Sequence, residues 1–104
     1  MTTISVLAEV AAERDRAEAK FPNQHLPNGT SEDMWGGDCI AAKALVDFHL
    51  ERGTATWREV LYEEVTEAFS EENPSLLRAE LIQVAAMAVR WIEDLDRVIV
   101  EGPE

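Results

Sequence analysis

The chain has 104 residues, with 21 acidic side chains against 9 basic ones and a formal net charge of −12. That length suits one domain, and a hydrophobic share of 46% argues against disorder. A surface this acidic repels phosphate backbones and anionic lipid, which argues against nucleic-acid polymers and anionic membranes as partners. The longest strongly apolar run, residues 81–92, is interrupted by Gln83 and Arg90 and is too short to span a bilayer. The N-terminal residues lack the basic start and long apolar stretch of a signal peptide. Cys39 stands alone and has no partner for an internal disulfide, which fits a reduced thiol and a cytoplasmic protein.

Helical periodicity recurs four times and strand-like alternation is almost absent, so the spacing predicts an all-α fold. The first helix is expected over residues 4–20, with Val6, Leu7, Val10, Ala11, Arg14 and Ala17 at helical intervals. It stops at Phe21-Pro22, because proline disfavours a helical residue before it. Residues 21–37, with Pro22, Pro27, Gly29, Gly36 and Gly37, read as a long irregular loop. A second helix is expected from an Asp38 cap to Gly53, with Ile40, Ala41, Ala44, Leu45 and Phe48 as its apolar set. His49, near its end, reads as a cation close to the negative end of the helix dipole. Thr56-Trp57-Arg58-Glu59 fits a capping box for a third helix reaching about residue 72. Asn73-Pro74 supplies a cap and a first-turn proline for a fourth, reaching about residue 98. The short connection predicts an antiparallel hairpin of the third and fourth helices. Residues 101–104 read as a frayed tail.

Wheel arithmetic at about 100° per residue sorts the carboxylates of that hairpin. On the third helix Glu64 falls inside the apolar arc of Trp57, Val60, Leu61, Val65, Ala68 and Phe69, and Glu67 lies on its border. Glu63 falls on the wetter side. On the fourth, Glu80 lies beside the arc of Leu77, Leu81, Val84, Ala85, Ala88, Trp91, Ile92 and Leu95, with Gln83 one turn on. A turn centred near Asn73 sets Glu67 level with Glu80, and Glu64 level with Gln83. Packed helix axes lie about 8–10 Å apart, so four such side chains can converge. Carboxylates gathered away from water repel unless a cation neutralises them, and hard oxygen ligands suit Mg²⁺. The plainer alternative is a solvated acidic face, since glutamate is abundant here.

Glu63-Glu64-Val65-Thr66-Glu67, followed by Arg78-Ala79-Glu80-Leu81-Ile82-Gln83, resembles the Glu-x-x-Glu … Glu-x-x-Asp signature of MazG-like proteins of the all-α nucleoside triphosphate pyrophosphohydrolase superfamily. Residues 12–16, 21–30, 56–59 and 81–93 are also similar to short MazG-like proteins. The resemblance implies a four-helix, MazG-like bundle that hydrolyses a nucleoside triphosphate to a monophosphate and pyrophosphate with Mg²⁺, Mn²⁺ being a substitute. By position it implies Glu64, Glu67, Glu80 and Gln83 as metal ligands, with Glu64 or Glu67 acting on the attacking water. Gln83 stands where the signature has aspartate, which removes one negative charge from the site.

Lys20, Arg58, Arg78 and Arg90 are candidates for neutralising a triphosphate, and of these Lys20 and Arg90 are carried forward as substrate-binding residues. His25, in a loop of polar tips, is a candidate for a lid or for reading the base. Trp57 and Trp91 read as core, and Trp35 as core or base-stacking. Two rival readings stand beside the hydrolase: a non-catalytic MazG-like module binding a nucleotide or a protein, and a structural helical interaction module. Between Leu81 and Ile92 the fourth helix is apolar nearly all round, with Ile82, Ala86 and Val89 off the hairpin face. A second copy is the expected cover, giving a homodimer or homotetramer.

Overall fold

The computed structural model describes residues 2–102, which form four α-helices and no strand. The helices are α1 (Thr3–Lys20), α2 (Glu32–Arg52), α3 (Trp57–Ser70) and α4 (Pro74–Glu101). Pro103 and Glu104, half of the expected tail, lie outside the described residues; Glu101 closes α4 rather than fraying.

The termini of these helices follow from capping chemistry. Thr2 and Ser5 form a reciprocal capping box at the start of α1. The Thr56 hydroxyl accepts from the Glu59 amide at 3.3 Å, and itself donates to the Glu59 carboxylate at 3.0 Å. Asn73 Oδ1 accepts from the amides of Ser75 and Leu76, leaving Pro74 in the first turn, where no N–H is needed. Gly53 ends α2 with φ of 69°, in the left-handed region, and the next amide, of Thr54, closes on the His49 carbonyl at 2.9 Å.

The start of α2 corrects the expected boundary. Its cap is Ser31, whose hydroxyl accepts from the Met34 amide, and not Asp38. Glu32 and Asp33 then sit in the first turn, favourable at the positive end of the helix dipole. Gly36 and Gly37 are helical, so the loop covers residues 21–31 only. Glycine inside a helix costs about 1 kcal/mol but does not forbid it. At Gly36 a Cβ would come within 3.3 Å of Glu32 Cγ, so only glycine leaves that side chain undisturbed.

The chain divides into two compact units. The first comprises residues 2–28 and 89–102, that is, α1 and the end of α4. The Thr3 hydroxyl donates to the Glu93 carboxylate, tying the start of α1 to α4. The second unit, residues 29–88, contains α2, α3 and the beginning of α4.

Within the second unit α2 packs along α3, and its buried stripe corrects the sequence reading. The residues turned inward are Trp35, Cys39, Ala42, Val46 and His49. The expected set, Ile40, Ala41, Ala44, Leu45 and Phe48, is exposed. On α3 the stripe of Glu59, Glu63, Thr66 and Ser70 is buried or half-buried, so Glu63 is not on a wet face. These polar groups are tolerated there because they are bonded. Thr66 donates to the Glu63 carbonyl at 2.9 Å, and Glu59 pairs with His49. Trp35 meets Phe69 edge-to-face at 4.9 Å, which places it in the packing rather than free to stack a base. Trp57 and Trp91 are half-buried. On α4, Leu77 is buried as expected, but Leu81, Ala85, Ile92 and Leu95 of the expected inward arc are exposed. Val89, expected off the hairpin face, is buried.

Candidate metal centre

Three residues connect α3 to α4, a turn short enough to bring the end of one helix back along the start of the next. Glu64, Glu67 and Glu80 meet across it, each offering a carboxylate oxygen within 4.8 Å of the others. All three are half-buried. One oxygen of Glu64 and one of Glu80 are buried without a hydrogen-bond partner. An unsatisfied buried acceptor costs about 1–3 kcal/mol, more when charged, so the cluster is a local liability unless a cation or proton meets it.

The electrostatics bear the same mark. Burial pushes the Glu64 carboxyl above its ordinary range, the nearby Glu67 charge adds to this, and Lys43 opposes it. Burial also raises Glu80, reinforced by a hydrogen bond and charge repulsion from Glu67. Glu63 is raised by burial too, against the pull of Lys43. Crowded, partly dehydrated carboxylates disfavour their own ionisation, and a divalent cation reverses that preference.

The remaining expected residues are placed differently. Gln83 is exposed, one turn beyond Glu80 on α4. Lys20, His25 and Arg90 are exposed and belong to the first unit, while the three glutamates belong to the second. Lys20 Nζ lies 5.5 Å from the centre of the Phe21 ring. Arg58 lines a groove between α2 and α3, and Arg78 is exposed on α4. Sequence reasoning missed Lys43. Its signal was available, since it is the one lysine or arginine between Lys20 and Arg52, but nothing local says that this face of α2 turns toward Glu63 and Glu64.

Comparison with protein-family models, with curated proteins and with solved structures gives no match. Among the described residues, no helix is long and apolar enough to cross a membrane.

Proposed function

We propose that the chain is a MazG-like, Mg²⁺-dependent hydrolase that splits a nucleoside triphosphate into a monophosphate and pyrophosphate. The observation that supports this reading best is the meeting of Glu64, Glu67 and Glu80, with two carboxylate oxygens buried and unpartnered. That donor set is all oxygen and anionic, the chemistry Mg²⁺ takes, with Mn²⁺ as a substitute. Bound there, Mg²⁺ supplies a positive clamp on phosphate oxygens and on the charge of the departing pyrophosphate. Glu64, Glu67 and Glu80 hold the ion in this reading, with Gln83 as a neutral fourth ligand.

The chain's own residues then handle the water. Glu64 or Glu67 orients it and takes its proton as its oxygen attacks the α-phosphorus. The bond from that phosphorus to the bridging oxygen breaks, and pyrophosphate leaves. The enzyme is proposed to be cytoplasmic. The exposed apolar side of α4, with Leu81, Ile82, Ala85 and Ala86, is proposed to be covered by a second copy in a dimer or dimer of dimers.

A non-catalytic nucleotide- or protein-binding role is the second reading, and the exposed Gln83 in place of the signature's aspartate favours it. A screen of nucleoside triphosphates, including non-standard and damaged ones, with Mg²⁺ separates the two. Release of pyrophosphate and monophosphate in equal amounts supports the hydrolase. Mg²⁺-dependent nucleotide binding without turnover supports the second reading.

A further inference from the structure

One flank of α2, beside the side that packs on α3, carries a regular series. Asp38, Ala41, Leu45, Phe48 and Arg52 follow one another at intervals of three, four, three and four residues, and all are exposed. That is the spacing of a helix-pairing seam, in which apolar residues recur every 3.5 residues on average. Leu45 is 49% exposed and Phe48 47%, so the apolar centre of the series is open. The Arg52 guanidinium stacks 3.7 Å over the Phe48 ring, which holds the cation on the same stripe. Asp38, Ala41 and Leu45 also form one wall of a groove of about 210 Å³, with Arg58 and Tyr62 on the α3 side.

The charges at the two ends of the series select the occupant. Leu45 is its midpoint, with Asp38 seven residues before it and Arg52 seven after. We propose that a second copy of this chain docks antiparallel on this stripe of α2, with a two-fold axis at Leu45. In that register each Asp38 faces the partner subunit's Arg52, so two ion pairs bracket an apolar centre in a seam about 21 Å long. A parallel arrangement sets like charges together at both ends and is disfavoured. A surface carrying opposite charges symmetrically about an apolar midpoint is self-complementary, as a two-fold contact requires. The neighbouring groove receives apolar side chains of the partner subunit. This contact lies on α2, apart from the acidic cluster and from the side of α4 discussed above, and it depends on neither.

A charge-swap series tests it, read as mass by light scattering during size exclusion at micromolar protein. Asp38→Arg and Arg52→Asp each set like charges at both ends of the seam. Each raises the dissociation constant of one association step at least about tenfold, so the mass at a fixed concentration falls toward half. The double variant restores the opposite pairing and recovers the wild-type mass. Leu45→Glu sets two carboxylates at the axis and halves the mass with no such rescue. These positions are exposed, and an unchanged helical circular dichroism signal confirms each variant's fold. The α4 side is read separately with Ile82→Glu. A wild-type mass of 11.6 kDa at every concentration, single variants that keep the wild-type mass, or a double variant that fails to recover it overturns the contact. If Ile82→Glu lowers the mass while the α2 series does not, association through α4 stands and the α2 seam is overturned.

Discussion

His49 Nδ1 meets the Glu59 carboxylate, joining the last turn of α2 to the first turn of α3. Glu59 is 8% exposed, and its carboxylate also accepts from the Thr56 hydroxyl that caps α3. One carboxylate therefore closes a helix terminus and locks α2 to α3.

Bonding to His49 holds the Glu59 carboxyl below its ordinary range, with Thr56 contributing the same way. A carboxyl whose folded pKa is depressed stabilises the fold above its unfolded pKa, and that stability is lost as pH falls through the folded value. Glu59→Gln should therefore lower Tm at neutral pH. The difference from wild type should shrink on acidification and vanish once Glu59 is protonated in both states. Thermal melts of the two proteins across the acid range check this, and a pH-independent difference refutes it.

Glu64 and Glu80 carry the opposite sign. Their pKa values are raised, so in the metal-free protein they oppose folding at neutral pH and cease to do so once protonated. With a chelator present, Glu64→Gln should raise stability at pH 7 by about 1 kcal/mol, or about 4–8 °C in Tm for a domain of this size. The gain should disappear on acidification. A loss of stability at pH 7 would show that Glu64 has a structural partner instead.

Mg²⁺ should stabilise the wild-type protein by mass action, by about 2.7 kcal/mol at a hundredfold excess over its dissociation constant, and so raise its Tm. Glu64→Gln and Glu80→Gln should each abolish this shift and any metal-dependent turnover while keeping the helical content. Turnover retained in both variants would remove the cluster from the chemistry.

Gln83→Asp adds a carboxylate one turn beyond Glu80. If Gln83 reaches the ion, calorimetric titration should show tighter Mg²⁺ binding by a factor of about ten, the effect of one added charge worth about 1.4 kcal/mol. Unchanged affinity means that residue 83 does not face the ion.

Gly53→Ala should destabilise the protein by about 1 kcal/mol. Gly53 holds φ of 69°, and a Cβ there meets nothing within 4 Å, so the cost is purely that of the left-handed backbone. Urea unfolding measures it, with an unchanged m-value expected.

Much of the fold and part of the cluster were legible without coordinates. Thr56, Asn73 and Gly53 announced three helix termini, because a cap is a contact between residues two to five apart. The pairing of Glu67 with Glu80 followed from the shortness of the turn at residues 71–73. The start of α2 was not legible. Gly36-Gly37 looked like a break, and the weaker signal of Ser31 with two acids behind it decided the matter.

The sequence by itself determined that this is an all-α chain, where most of its helices end, and that its glutamates fall on neighbouring turns. Those are properties of local periodicity and capping. Only the tertiary structure decided which side of α2 turns inward. That helix carries apolar residues on more than one face, so periodicity offers two stripes of similar strength. On α3 the expected apolar arc is buried or half-buried apart from Phe69, and the polar series of Glu59, Glu63, Thr66 and Ser70 is buried or half-buried beside it, because α2 supplies His49 to Glu59 and brings Lys43 near Glu63. Burial of such a stripe is favourable only once its partners are in place, and those partners come from another helix.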